Sequence, residues 1–347
     1  MRWKLGGGVA AIAMLGAVTG SATDSGVAQR AAWRATYAAP ATIPFPDENP
    51  YSRAKAVLGR KLFFDPILSA DRDRACVTCH LPDLAWADGR RRAPTRADSD
   101  TDLRTPTLLN LAWQEGRLGW DGKFRDLESV AFVPISAPGN MGLPVEDAVA
   151  RLSADAAYVA AFKEAYADPG VTKARIEAAL ATFQRLIVSG ASPFDRWIAG
   201  DEAAIPVAAK RGFDLFNGRA NCAACHGGWA FTDGSFHDIG TAVGADLGRG
   251  RFVTNSQALR YAFKTPGLRE VAGRGAYMHD GSIAALEAVI DLYDRGGIDR
   301  PSRSPEIRPL NLSADEKADL LAFLRTLNSE PGTGPALADL TEAAPRP

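Results

Sequence analysis

Apolar residues recur at helical spacing in three stretches of the chain, 52–64, 176–189 and 314–327, and Ser313 is placed to cap the last. No stretch alternates apolar and polar residues in the manner of a half-buried strand. Long loops punctuated by Pro and Gly lie between the helices, residues 90–107 and 231–254 among them. Loops of that length are uncommon in a small core unless they wrap a large apolar body. The pattern predicts an all-α fold. Residues 189–206 read as a connection between two domains, and residues 330–347, rich in Pro, Gly and Ala, as a flexible tail.

The start of the chain reads as an export signal. Arg2 and Lys4 precede an apolar run over 5–18, and Gly20-Ser21-Ala22 offers a small-residue cleavage site. The run is shorter than the about 20 residues a membrane span requires. These features predict a signal peptide over 1–22, a mature chain beginning near Thr23, and a periplasmic protein without a membrane span. The 347 residues suit two domains of ordinary size. A net charge of −1 gives no support to nucleic-acid binding and says little about other partners. Arg90-Arg91-Arg92 with Arg96, followed by Asp98, Asp100 and Asp102, reads as a solvated loop in preference to a docking patch.

Cysteine and histidine change the picture. The chain has four of each, and every cysteine falls in one of two identical patterns, Cys76-Val77-Thr78-Cys79-His80 and Cys222-Ala223-Ala224-Cys225-His226. C-x-x-C-H is the attachment motif of haem c: two thiols form thioethers with the porphyrin, and the adjacent histidine becomes the proximal iron ligand. A zinc site could recruit both cysteine pairs but gives no reason for a histidine after each. A dithiol redox pair would sit beside a βαβ pattern, which the sequence lacks. The chain is therefore expected to carry two covalently bound haems c, with His80 and His226 as metal ligands.

The two motifs belong to a longer internal repeat. Gly59-Arg60-Lys61-Leu62-Phe63 stands before the first and Gly212-Phe213-Asp214-Leu215-Phe216 before the second. Trp86-Ala87-Asp88-Gly89 answers Phe231-Thr232-Asp233-Gly234, Thr105-Pro106 answers Thr265-Pro266, and Trp120-Asp121-Gly122 answers His279-Asp280-Gly281. Leu127-Glu128 and Leu286-Glu287 follow in turn. The same step onward from Leu127 and from Leu286 arrives at Pro134 and Tyr293. If these sit above the two irons, the first iron is open, because proline has no donor atom, and the second takes a tyrosine oxygen. Met278 is the alternative ligand for the second iron. His237 and His279 are read as buried residues that hydrogen-bond a haem propionate or a backbone carbonyl.

Taken together, Leu58-Gly59, Leu62-Phe63-Phe64-Asp65-Pro66, Trp120-Asp121-Gly122, Phe231-Thr232-Asp233-Gly234 with His237, Phe263-Lys264-Thr265-Pro266 and Tyr277-Met278-His279-Asp280-Gly281 resemble the bacterial di-haem cytochrome c peroxidase and MauG family over nearly the whole mature chain. The resemblance implies two cytochrome c-like domains: 23–190, whose haem reacts with hydrogen peroxide, and 191–329, whose haem stores or relays electrons. It also implies a tryptophan between the haems, which Trp120 matches. Typical peroxidases of the family have methionine where Tyr293 stands and a mobile histidine in the first-domain loop. This chain has no histidine between His80 and His226. Both departures resemble MauG- and MbnH-like members, which use peroxide to reach a state with two Fe(IV) centres and then oxidise residues of another protein.

Three family positions differ further. The distal glutamate falls on Asn140, ahead of Met141, so an acid must come from elsewhere, with Glu146 a nearby candidate. The asparagine that helps hold an inter-haem calcium falls on Arg104, with the carbonyls of Arg274 and Ala276 as the other contacts, which leaves calcium open. The surface tryptophan of MauG falls on Ala220, and Trp229 or Trp197 could provide an exit instead. The expected site thus comprises Pro134, Asn140, Met141 and Trp120 around the peroxide and between the irons. Electrons come from a partner protein's aromatic residue in the MauG-like reading, which is preferred, or from a small redox protein in the peroxidase reading. A non-catalytic two-haem electron carrier is the remaining alternative.

Overall fold

The structure, a computed structural model, describes residues 22–96, 102–114, 116–168, 170–330 and 337. Residues 1–21 of the proposed 1–22 leader, Asp98, Asp100 and nearly all of the tail lie outside the described residues. Eleven helices follow one another among the described residues: α1 (Ala22–Tyr37), α2 (Arg53–Phe64), α3 (Leu127–Val130), α4 (Phe132–Ser136), α5 (Val145–Ser153), α6 (Ala156–Tyr166), α7 (Lys173–Arg185), α8 (Pro193–Ile198), α9 (Val207–Asn217), α10 (Leu286–Arg295) and α11 (Ala314–Arg325). The only strands among those residues form one short antiparallel pair, β1 (Phe236–His237) and β2 (Phe263–Lys264).

The helix ends follow their caps. Ser52 accepts from Lys55 N at the start of α2, and Ser313 and Glu316 cap α11 reciprocally, each side chain on the other's backbone N–H. The stretch expected over 176–189 begins earlier, because Thr172 caps α7 by accepting from Arg175 N, and it closes at Arg185. α7 is the helix of the first core and α11 that of the second.

Two close helix crossings organise the two cores. In the first, α2 lies on α7 with no room between them. A methyl group on Gly59 would overlap the Ala179 carbonyl oxygen and come within 2.9 Å of Phe183 Cβ. In the second, α9 lies on α11, and a methyl group on Gly212 would overlap the Asp319 carbonyl oxygen and come within 2.8 Å of Phe323 Cβ. Trp86 packs edge to face on Phe63 and Phe183 at the first crossing, and Phe213, Phe216, Phe231 and Phe323 make edge-to-face contacts at the second.

Two segments depart from the expected division. α1, at the head of the 23–190 range, packs into the second core: Tyr37 is 1% exposed, stacks on Phe231 and donates its hydroxyl to Asn217 Oδ1 (2.8 Å). Residues 189–206 are not a bare connection. They contain α8, whose Phe194 and Trp197 are fully buried in that same core. Their buried side chains, and not the surrounding Pro and Gly, decide the segment's character.

The halves meet through backbone exchanged in both directions. Lys264 N donates to Trp120 O (2.8 Å), and Arg104 N donates to His279 O (2.9 Å). The two Asp-Gly turns are equally tight against the opposite half: Gly122 has no space for a Cβ beside Phe236, nor Gly281 beside the Arg91 carbonyl. The segments Leu118–Phe124 and Tyr277–Ile283 each close through an antiparallel bridge, which fixes these turns.

Candidate active site

Each C-x-x-C pair sits on a short 3₁₀ turn, Cys76–Thr78 in one half and Cys222–Ala224 in the other. Just beyond, His80 Nδ1 donates to Trp86 O (3.0 Å) and His226 Nδ1 to Phe231 O (2.9 Å). Trp86 and Phe231 hold those carbonyls with left-handed backbone, φ 58° and 55°, a conformation uncommon in bulky residues. The bond at Nδ1 leaves Nε2 as the lone-pair nitrogen, and burial lowers the pKa of both rings, so they stay neutral and able to ligate. Burial pushes the Cys76 and Cys222 thiols up to about 12, which suits neutral sulfur better than a zinc thiolate. Among the described residues the two cysteine pairs do not converge on one ion. Among the described residues the single group of three metal-ligating side chains is Cys225, Asp233 and His237.

One cavity contains both motifs. Its wall carries Cys76, Cys79, His80, Pro134, Asn140 and Met141 from the first half, and Cys222, Cys225, His226, His237, Met278 and Tyr293 from the second, with Trp120 and His279 between them. The rest is largely apolar, including Phe63, Leu108, Leu111, Leu180, Leu268, Leu286 and Ile290. On the first side, Met141 N bonds Pro134 O (3.1 Å) and Asn140 N bonds Ala137 O (2.9 Å), a turn that brings the three expected residues together. The wall contains one carboxylate, Glu306, and it is on the second side, bonded to Asn221 beside Cys222. Glu146, the substitute acid suggested by its place in the sequence, is exposed on α5 and takes no part in the wall. Gln114 and Gln184 are wall residues that the sequence did not single out, because nothing local marks them.

Tyr293 stands on α10 near the Cys222 and Cys225 sulfurs, and its hydroxyl makes no hydrogen bond to a described residue. Burial and these sulfurs raise its pKa. Met278 shares the wall, with left-handed backbone at φ 70°. The other histidines bond carboxylates of the protein: His237 Nε2 pairs with Asp233 (2.7 Å), and His279 Nε2 with Asp246 (2.7 Å) while its ring stacks on Phe263. Trp120 Nε1 donates to Arg104 O (3.1 Å). Trp197 is fully buried, its indole nitrogen bonded to Glu202, and belongs to the second core. Trp229 is only part-buried, set edge-on against Trp113 with ring centres 4.8 Å apart, and under the Arg269 guanidinium.

The wall suits two haems. Its apolar lining accepts the porphyrins, and the buried Nε atoms of Arg104 and Arg274 lack protein partners where propionates would bring negative charge. Cys76, Cys79, Cys222 and Cys225 would carry the thioethers, and His80 and His226 the irons. The wall does not suit an inter-haem calcium, because Arg104 directs its guanidinium at the Arg274 carbonyl (3.2 Å), one of the oxygens such an ion would use.

Two haem-binding units opening into one cavity define a di-haem c-type protein. The comparisons agree: residues 53–203 match the family model for di-haem cytochrome c peroxidase, and residues 209–328 match that for cytochrome c. The methylamine utilization protein MauG of Methylorubrum extorquens is 48% identical over 94% of this chain and 92% of its own. The protein of the same name from Methylophilus methylotrophus is 46% identical over 85% and 88%. A crystal structure of a MauG-like protein associated with microbial copper homeostasis superposes with a TM-score of 0.78 at 32% identity, covering 86% of this chain and 97% of that one. The chain belongs to the di-haem cytochrome c peroxidase and MauG family, and it is a hydrogen-peroxide-dependent di-haem oxidoreductase. Among the described residues no helix is long and apolar enough to cross a membrane.

Proposed function

We propose that this chain acts in the periplasm as a MauG-type enzyme that consumes hydrogen peroxide and withdraws electrons from an aromatic residue of a partner protein, in the context of methylamine utilization. The observation that carries the proposal is the 48% identity to a methylamine utilization protein over nearly the full length of both chains. When bound, the haems supply the peroxide-reactive iron and hold the two oxidising equivalents.

The chain's own residues divide the work. Pro134 would offer no ligand atom to the first haem, while Asn140 and Met141 would flank the space for peroxide. Trp120 lies between the halves, positioned by its indole bond to Arg104 O. Tyr293, with its unbonded hydroxyl beside the second cysteine pair, would be the residue that holds the second haem's iron from α10. His237 and His279, each anchored by a carboxylate, shape the wall around the haems. The Trp113 and Trp229 pair is the favoured exit for oxidising equivalents, since Trp197 is sealed in a core and Ala220 offers no ring.

In this reading the halves descend from one duplicated unit. Their matching glycine crossings, histidine-to-carbonyl bonds and bridged Asp-Gly turns support the repeat. The unit boundaries lie near 190 and 329, with α1 contributed to the second unit.

The test adds peroxide to the holo-protein with the unprocessed form of a methylamine-oxidising enzyme and follows the partner by mass spectrometry. Oxidation of an aromatic residue, in proportion to the peroxide used, is expected. Rapid catalytic oxidation of a reduced small cytochrome, with no change in the partner, would instead establish the peroxidase reading. Tyr293→Phe is expected to keep both haems attached, to change the low-spin ferric spectrum and to cut the yield of partner oxidation at least tenfold. An unchanged low-spin spectrum would move the ligand assignment to Met278.

A further inference from the structure

Arg104 is 5% exposed, yet no described Asp or Glu lies within salt-bridge distance of it. The acid whose charge it feels is Asp88, and Asp88 is occupied by the Thr105 hydroxyl (2.7 Å) and Arg90 N (3.0 Å). A buried cation is costly unless its surroundings compensate, so a guanidinium that no described carboxylate pairs calls for a role beyond the propionate its free Nε would meet.

Its bonds define one. Its N–H donates to His279 O, its carbonyl accepts from the Trp120 indole, and its guanidinium donates to Arg274 O. A single residue therefore ties together the two turns that meet at the junction and the tryptophan between them. The corresponding position before the second Thr-Pro is Lys264, also buried, whose ammonium bonds Gly234 O (2.6 Å). Each half thus sets one buried cation on a backbone carbonyl, Arg104 across the junction and Lys264 within its own half.

We propose that the Arg104 guanidinium is the resident cation of this junction: it takes the carbonyl that a bridging divalent ion would bind, while the residue's own backbone carbonyl holds the Trp120 indole, so the protein joins its two haem sites without calcium. The proposal rests on the di-haem reading for its setting, but its test does not depend on turnover.

Wild-type holo-protein passed through a desalting column after exposure to calcium chloride is expected to retain no calcium by elemental analysis and to have the same haem reduction potentials with and without chelator. Arg104→Asn is expected to gain one calcium per chain in a calorimetric titration with calcium chloride. Arg104→Ala, which removes a positive charge near both sites, is expected to lower the haem potentials, and Arg104→Lys to restore them in part. A role limited to packing would leave the potentials where they are. One calcium retained by the wild type, no calcium taken up by Arg104→Asn, or unaltered potentials in Arg104→Ala would each overturn the proposal. If Arg104→Ala fails to fold, the wild-type calcium analysis and the Lys variant still decide it. Absence of peroxide reactivity in a calcium-free wild type that added calcium chloride does not restore would count against the functional reading alone, whereas restoration by calcium would overturn the proposal.

Discussion

Asn140→Glu is expected to speed the first reaction with hydrogen peroxide by about 10²- to 10⁴-fold at neutral pH, the usual worth of a positioned acid-base group. Cleaving peroxide requires a proton to pass from the oxygen nearer the iron to the farther one. Asn140 can donate a hydrogen bond but cannot accept that proton. The first side of the cavity offers no replacement, since its wall has no carboxylate and Glu146 points to solvent from α5. A glutamate on the 137–141 turn would stand beside Pro134, and its partial burial would raise its pKa toward the working pH, which favours proton exchange. Stopped-flow mixing at matched haem content measures the effect. An equal or slower rate would mean that another group or an ordered water already moves that proton, and the role given to Asn140 would have to be withdrawn.

The largest loss of stability is expected from Gly212→Ala. Alanine favours a helix over glycine by about 1 kcal/mol, so the sign depends on whether the methyl group fits. It does not, because it would overlap backbone, the Asp319 carbonyl, which cannot rotate aside as a side chain could. Forcing α9 from α11 costs about 3 kcal/mol, leaving a net loss of about 2 kcal/mol and a fall in melting temperature of about 4–8 °C. Gly59→Ala should behave alike in the first core. Gly139→Ala, with nothing within 4 Å of the new methyl group, should shift stability by less than about 0.5 kcal/mol. Thermal unfolding of the holo-proteins checks all three, and similar melting points for Gly212→Ala and the control would show that the crossing can yield.

What the sequence made legible was whatever depends on short spacing. The haem motifs, the Ser313 cap and the paired glycines could all be found because each is a local arrangement of a few residues. The glycines could be matched, but not their cause, since the carbonyls they admit lie far along the chain at Ala179 and Asp319. The same distance hid Asp246 as the partner of His279 and placed Gln184 in the wall from α7. Glu146 misled because proximity in sequence to Asn140 says nothing about which face of α5 it occupies. α8 was read as connection because Pro and Gly around it outweighed Phe194 and Trp197, whose burial only the second core reveals.

α1 bears on the order in which the molecule can be completed. Trp33 lies edge-on to Phe213, Tyr37 fits among Phe194, Phe213 and Phe231, and Arg34 covers Trp197 while pairing with Glu202. The earliest described residues to be synthesised therefore close a core whose remaining walls are among the last. During vectorial delivery of the chain, the first unit can settle while α1 waits, its aromatic face uncovered, until α9 and α11 arrive. Contacts of such long sequence separation are slow to form. The second unit thus has a built-in delay, and an interval of exposed aromatic surface in which a chaperone can bind.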